Sequence, residues 1–261
     1  MKNGKIRGNA KMSTSFIKSP DVFTMLIIIA AVAMYISWLA IRGRKFELRQ
    51  MTQILAMSDG ADRSVEEGRP FIYYEAGGST GGAMTIADLN VLRYCARLCV
   101  EKGAKFIPYI ASAEMVAMVD GIVREECMRA GKLEAYDPSL IAFRGSQEEA
   151  PALELLHEYG VSCLVNIGAI GGPRVGVFAE VHELGGIVIG GTARYVHQGT
   201  VAMLCDYPAF MDDVYAIGAI CSEDNVAKAT RVAGDIIKLI AIGALVLFTI
   251  TLAAGMPIPI A

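Results

Sequence analysis

Residues 71–82 read FIYYEAGGSTGG, a run of aromatic and β-branched residues followed by a loop of glycine and small residues. The run Phe71–Glu75 predicts a buried β-strand. The apolar periodicity that begins near Thr85 predicts a helix. Strands that alternate with helices are typical of a mostly parallel sheet covered by helices.

The same alternation continues along the chain, so we expect an α/β fold that is Rossmann-like, with a mostly parallel sheet and helices on both faces. Further strands are expected at Lys105–Ala111, Leu140–Phe143, Val161–Ile167, Gly186–Gly190 and Thr200–Cys205. Helices are expected at Thr85–Lys102, Ala113–Ala130, Glu148–Tyr159, Val175–Leu184 and Pro208–Cys221. Glycines typical of helix C-termini follow four of these helices: Gly103, Gly131, Gly160 and Gly185.

Two apolar runs predict transmembrane helices on either side of this domain. The first is VFTMLIIIAAVAMYISWLAI at Val22–Ile41, twenty residues without a charge, which is long enough to cross a bilayer. The second covers residues 239–256 and is also uncharged. A cleaved signal peptide is the competing interpretation of the first run, but the basic residues that follow at once favour an anchor.

The chain therefore divides into six predicted segments. They are a basic N-terminal tail (1–21), a transmembrane helix (22–41), an α/β domain (46–222), a connecting helix (223–238), a second transmembrane helix (239–256) and a C-terminal tail (257–261). Seven basic residues flank the spans on the side of the domain, against five before the first span. The positive-inside rule thus favours a cell-membrane protein with two spans and a cytoplasmic domain.

Composition excludes several classes of function. The chain has 24 Lys and Arg against 27 Asp and Glu and a pI near 5.7, so it lacks the basic footprint of a nucleic-acid-binding protein. Its six cysteines lie mostly in apolar stretches, which indicates buried thiols. Neither a metal-site spacing nor a dinucleotide fingerprint is present, so no metal and no cofactor are expected.

The stretch from Met51 to Ser222 resembles a prokaryotic membrane-anchored family known only as a domain of unknown function. The matching pieces are GRP at 68–70, TIADLNVLRYCARLCVEKGAKFI at 85–107, VREE at 123–126, AYDPSLIAF at 135–143, GGTARYVHQ at 190–198 and CDY at 205–207. The resemblance implies the fold and the membrane anchoring. It implies no activity and no catalytic residue.

The loop after the first strand is a candidate ligand site. Its residues are Gly77, Gly78, Ser79, Thr80, Gly81 and Gly82. A loop of small residues before a helix exposes backbone N–H groups to an anion such as phosphate. Ala83 and Met84 stand where a P-loop has Lys and Ser or Thr, so an ordinary NTPase is not expected. A tight structural turn explains the glycines equally well.

The same loop also fits the pattern G-x-S-x-G with Ser79 as nucleophile. Only about thirty soluble residues separate the first predicted membrane helix from the first strand, whereas an α/β-hydrolase has several strands before its nucleophile. The sequence therefore disfavours a serine hydrolase.

Further strand ends carry glycine-rich loops that predict a shared crevice, because ligands of open α/β sheets bind at the carboxyl ends of the strands. These loops contribute Gly171, Gly172 and Thr192. Arg174 or Arg194 is suited to pairing with an anion, although solvated surface arginines are the commoner explanation. Asp206, two residues before Pro208, is expected to cap the next helix, with a catalytic role as the alternative.

These observations favour a non-catalytic role over an enzyme. We expect a membrane-anchored scaffold or accessory protein that forms a homo-oligomer. Its expected partners are the lipid bilayer, further copies of the chain and a larger membrane complex. The alternative is an enzyme or sensor that binds a small anionic or nucleotide ligand at the glycine-rich strand ends.

Overall fold

The computed structural model describes residues 20–76, 82–141, 143, 149–170 and 174–253. The chain separates into two compact units. One comprises residues 47–231 and contains the sheet. The other comprises the described parts of residues 1–46 and 232–261.

The described residues form five strands and nine α-helices. The strands are β1 (Phe71–Tyr74), β2 (Phe106–Tyr109), β3 (Cys163–Gly168), β4 (Ile187–Thr192) and β5 (Tyr207–Phe210). The helices are α1 (Pro20–Ile41), α2 (Thr52–Glu67), α3 (Ala83–Lys102), α4 (Val116–Arg129), α5 (Glu149–Tyr159), α6 (Val175–Glu183), α7 (Gln198–Leu204), α8 (Asp212–Cys221) and α9 (Asn225–Ala253). Single 3-10 turns occupy Ala113–Met115, Leu133–Ala135, Pro138–Leu140 and Tyr195–His197.

The five strands pair in parallel in the order β2-β1-β3-β4-β5. Phe71 of β1 lies opposite Phe106 of β2 on one side and Cys163 of β3 on the other. The strand order therefore reverses at β1, since the chain adds β2 on one side and returns to add β3 on the other. This finding confirms the predicted α/β fold with a parallel sheet.

Side chains alternate between the two faces of the sheet, and each face packs against helices. Phe71 and Tyr73 belong to a core that includes residues of α2, α3, α4 and α8. Ile72 and Tyr74 belong to a second core with residues of α5 and α6. Because both faces are buried, the strands read as continuous apolar runs rather than as alternating patterns.

The region around residue 205 differs from the prediction. Thr200–Cys205, expected as a strand, falls mainly within α7, and β5 follows at Tyr207–Phe210. A short apolar run fits a strand or a helix equally well, so periodicity misassigned it. Pro208 lies within β5 and not in a helix, which is tolerated because β5 is an edge strand. The next helix begins at Asp212, later than expected.

Two further segments differ. The strand expected at Leu140–Phe143 is absent from the described residues of that segment, where Leu140 ends a 3-10 turn and Phe143 forms one bridge with Ile110. Helix α2 was not predicted from the sequence. The four glycines expected at helix ends do adopt left-handed backbone angles.

Among the described residues, one helical segment is long and apolar enough to cross a membrane. It is Thr24–Ile41 of α1, with a mean hydropathy of 2.3. A signal sequence near the N-terminus can match this segment in length and composition, so the segment is a membrane span or a signal sequence. The second span at 239–256 extends past the last described residue and stays a prediction.

The contact between α3 and α8 yields a stability prediction. A Cβ added at Gly218 of α8 would lie 2.7 Å from the Cα and Cβ of Ala87 in α3. We expect Gly218→Ala to lower the free energy of unfolding by about 1–3 kcal/mol through overpacking. The measurement is urea unfolding of the full chain in mild detergent.

Gly121→Ala is the matched control, because Gly121 also lies in a helix but a Cβ added there would meet no atom of a neighbouring element within 4 Å. Alanine there should raise the free energy of unfolding by about 0.5–1 kcal/mol. Equal effects of the two substitutions would contradict the close packing of α3 on α8.

Candidate functional site

The structure describes three of the ten predicted site residues. Gly82 directly precedes α3, Thr192 ends β4, and Asp206 precedes β5. The other seven lie outside the described residues: Gly77, Gly78, Ser79, Thr80, Gly81, Gly171 and Gly172.

Thr192 and Asp206 make structural contacts at opposite ends of β4. The Thr192 hydroxyl accepts a hydrogen bond of 3.1 Å from the Arg194 backbone N–H, which closes a turn after β4. The Asp206 carboxylate accepts a bond of 2.8 Å from the N–H of Val188, near the start of β4. Asp206 therefore lies near the amino ends of the strands, away from the loops that follow their carboxyl ends. It does not cap the next helix, because α8 begins at Asp212.

The structure instead brings three charged residues together at the carboxyl ends of β1 and β3. Glu75 directly follows β1, Asp88 lies in the second turn of α3, and Arg174 directly precedes α6. Each side chain is at most 1% exposed. The strand order reverses between β1 and β3, which is where open α/β sheets bind their ligands. We call these three residues the switch-point cluster.

Asp88 is buried because of its position on α3. It lies three, four and seven residues before Val91, Leu92 and Cys95, so it shares their core-facing side of the helix. Gly168 at the end of β3 permits this approach. Its φ is +149°, and a Cβ there would lie 2.9 Å from the Ala76 Cβ and 3.0 Å from the Asp88 Cβ.

The carboxyl of Asp88 is held by β1 and by the residues that directly follow it. The Tyr73 hydroxyl lies 2.5 Å from Asp88 Oδ1 and 2.8 Å from the Asp88 carbonyl oxygen. The Ala76 N–H donates to Oδ2 at 3.4 Å. Burial raises the pKa of Asp88 well above its usual range and nearby Glu75 raises it further, while the bonds from Tyr73 and Ala76 and the charge of Arg174 lower it. The balance favours the neutral acid.

Two other carboxylates serve the backbone around the cluster. Glu75 Oε2 accepts a bond of 3.1 Å from the Ala111 N–H, which ties the end of β1 to the segment after β2. Glu149 Oε1 accepts a bond of 3.2 Å from the Gly176 N–H in the first turn of α6. A carboxylate is favourable there because a helix N-terminus carries partial positive charge.

Arg174 is fully buried and carries the positive charge of the cluster. Its Cζ lies 3.8 Å from the centre of the Tyr74 ring, a cation–π contact. Within the described residues, none of its three guanidinium nitrogens has a hydrogen-bond partner. Burial lowers the pKa of Arg174, and the nearby Tyr74, Glu75, Tyr109 and Asp88 raise it. An arginine side chain nevertheless stays protonated in proteins.

A second polar side chain near the carboxyl ends of β1 and β3 makes only part of its possible hydrogen bonds. Asn166 of β3 donates from Nδ2 to the Tyr74 carbonyl oxygen at 2.7 Å. Its Oδ1 is buried and has no partner among the described residues. Unsatisfied buried polar groups are rare in proteins and point to a ligand or an ordered water.

Sequence reasoning misjudged or missed the members of this cluster. The solvated-surface explanation is wrong for Arg174, which is buried, whereas Arg194 is exposed. Asp88 was detectable as a carboxyl residue on the apolar side of a predicted helix. Glu75 was detectable as a charge that ends a buried strand.

The Tyr73 contact yields a prediction. Tyr73→Phe removes a hydroxyl that lies within hydrogen-bonding distance of two buried oxygens of Asp88, so we expect the free energy of unfolding to fall by about 1–3 kcal/mol. Tyr195→Phe is the control, because Tyr195 is 81% exposed and should change it by less than about 0.5 kcal/mol. Urea unfolding measures both, and an unchanged Tyr73→Phe variant would contradict the buried contact.

Comparison with known proteins identifies the family. Residues 11–258 match the family model described as "Domain of unknown function (DUF6754)". No curated protein and no solved structure matches the chain. The match confirms the resemblance to a domain of unknown function, whereas membrane anchoring and prokaryotic origin stay predictions. Because the match covers nearly the whole sequence, the chain belongs to the DUF6754 family.

Proposed function

We propose that residues 47–231 form a domain that binds a small anionic ligand at the switch-point cluster, in a protein anchored to the membrane through α1. The observation that carries the proposal is the buried guanidinium of Arg174, which has no hydrogen-bond partner among the described residues. The position of the cluster at the reversal of strand order adds support.

The free energy of burial explains why this arginine points to a ligand. A guanidinium loses its hydration when it is buried, and acceptors in the protein normally replace the lost water. Tyr74 offers only the face of its ring. An anion would supply the missing acceptors, and a carboxylate or phosphate matches the planar fork of arginine in a bidentate pair.

Membrane attachment is the second part of the proposal. The Thr24–Ile41 segment of α1 has the length and hydropathy of a span. Within α9, the side chains of Leu239, Leu245 and Ile250 are between 58% and 68% exposed, which is favourable in lipid and unfavourable in water. We propose that both helices lie in the cell membrane and that the α/β domain is cytoplasmic, with a larger membrane complex as a further partner.

Ligand binding is tested by unfolding the full chain in detergent with increasing inorganic phosphate or sulfate. An anion that binds only the folded state raises the free energy of unfolding by about 2.7 kcal/mol at a concentration of about 100 times its Kd. We expect saturable stabilisation. Only the gradual, non-saturating effect that such salts exert on all proteins would contradict the proposal.

Arg174→Met separates a ligand-binding arginine from a structural one. If the guanidinium is held for a ligand, its replacement should leave the stability of the ligand-free protein unchanged or raise it by up to about 2 kcal/mol, and should remove the saturable stabilisation by anions. If Arg174 mainly balances the charge of Glu75, the variant should lose about 3–5 kcal/mol.

Arg129→Met is the matched control. Arg129 lies in the last turn of α4 and has an exposed side chain. The same chemical change there should preserve the response to anions. Loss of the response in both variants would indicate a nonspecific effect of arginine number.

A second candidate is the scaffold role in a homo-oligomer. A groove of about 500 Å³ runs between α3 and α4 and is lined by Ile86, Met118, Ile122 and other residues of the two helices. Ile86 is 57% exposed and Met118 is 41% exposed. Exposed apolar side chains that line one groove are typical of a protein–protein contact.

Light scattering of the detergent-solubilised chain tests this candidate. We expect an oligomer that Ile86→Glu dissociates, because a charge in a desolvated contact is costly. Val65→Glu is the control, since Val65 is 48% exposed on α2, outside the groove. A monomeric parent protein would contradict the oligomer.

A further inference from the structure

We infer that the anion bound at Arg174 is a small 2-hydroxycarboxylate, whose hydroxyl group donates a hydrogen bond to the side-chain oxygen of Asn166. The inference rests on the proposed function and names the class of ligand for the same site. Its basis is a buried hydrogen-bond acceptor that lies next to the residue on which Arg174 stacks.

Asn166 and Arg174 both contact Tyr74. The parallel register of β1 and β3 places Tyr73 opposite Val165, so Tyr74 and Asn166, the next residues of the two strands, are neighbours in the sheet. Their side chains leave the same face, because side chains at matching positions of paired strands point the same way. The Cζ of Arg174 lies 3.8 Å from the centre of the Tyr74 ring. The guanidinium and the amide therefore lie beside one residue.

The orientation of the Asn166 amide follows from its contact with the backbone. A carbonyl oxygen can only accept a hydrogen bond, so the amide atom that lies 2.7 Å from the Tyr74 carbonyl oxygen is the nitrogen Nδ2. The remaining atom, Oδ1, is then an acceptor. It is buried and has no partner among the described residues, and the whole of Asn166 is inaccessible to solvent.

The two groups require opposite chemistry from a ligand. The guanidinium of Arg174 has only donors, whereas Oδ1 of Asn166 can only accept. A simple carboxylate or sulfate offers acceptors alone and would leave Oδ1 unpaired in a buried place. A hydroxyl next to the carboxylate adds the missing donor. A 2-hydroxycarboxylate thus satisfies both groups with one small molecule.

The number of donors and the charge favour this class over other anions with a donor. An ammonium group has three donor hydrogens and a positive charge, and both need partners when buried, whereas a hydroxyl has the single hydrogen that Oδ1 can accept. Glu75 and Glu149 already lie at this end of the sheet. A carboxylate adds one negative charge there, whereas a phosphate or sulfate dianion adds two, and burial leaves their repulsion weakly screened.

Isothermal titration of the full chain in mild detergent with glycolate and acetate tests the inference. The two anions have the same charge and the same number of carbons, and they differ by one hydroxyl. Because an unpaired buried acceptor is costly, we expect glycolate to bind about ten- to a hundredfold more tightly than acetate. Glycine, with an ammonium group in place of the hydroxyl, should bind no more tightly than acetate.

Asn166→Leu removes the acceptor and keeps a side chain of similar size. We expect this variant to bind glycolate and acetate with equal affinity. Ser162→Ala is the control, because Ser162 is also buried but lies before the opposite end of β3, where its hydroxyl donates to the Pro70 carbonyl oxygen at 3.2 Å. This variant should keep the preference for glycolate.

The outcomes distinguish this inference from the proposed function. Equal binding of glycolate and acetate by the parent protein would overturn the hydroxy acid and leave the anion site standing, with an ordered water as the partner of Asn166. Tighter binding of glycine than of glycolate would also overturn it, in favour of an ammonium donor. This comparison decides the ligand class even if Asn166→Leu does not fold.

Two further results bear on the site itself. A preference for glycolate that persists in a folded Asn166→Leu variant would overturn the role of Asn166. Absence of binding of glycolate, acetate and sulfate alike would remove the proposed function and this inference with it.

Discussion

The parallel pairing of β1 with β3 is the constraint on which the candidate site depends. The chain leaves β1, passes through α3 and β2, and returns so that Phe71 pairs with Cys163. That pairing places the end of β1 beside the end of β3, where Gly168 allows Asp88 of α3 to approach closely. Arg174 then enters from the segment that precedes α6. Residues distant in the sequence thus share one small buried volume.

Burial changes what these side chains can do. On a surface, an arginine beside carboxylates is solvated and contributes little to stability. Inside the domain, the guanidinium of Arg174 stacks on Tyr74 without a hydrogen-bond acceptor among the described residues. In the proposed site, a bound anion would supply such an acceptor.

Much of the fold followed from local sequence patterns, because strands β1 to β4 are apolar runs and the helices between them end at glycines. The structure around residue 205 did not follow from such a pattern. The run TVAMLC at residues 200–205 is too short for its apolar period to distinguish a strand from a helix. The site was harder still. The environment of Arg174 depends on Tyr74 and Asp88, which are distant in sequence. A pattern around residue 174 therefore carries no sign of burial, whereas Asp88 stands out on the apolar side of α3.

The central claim is that Arg174 is the anion-binding group of this domain. Crystals soaked in selenate test it directly, because anomalous scattering locates the selenium atom without assumptions about the ligand. The account predicts a peak within about 4 Å of the guanidinium of Arg174, the separation of a bidentate charged pair. Peaks confined to exposed lysines and arginines, with none at the ends of β1 and β3, would contradict it.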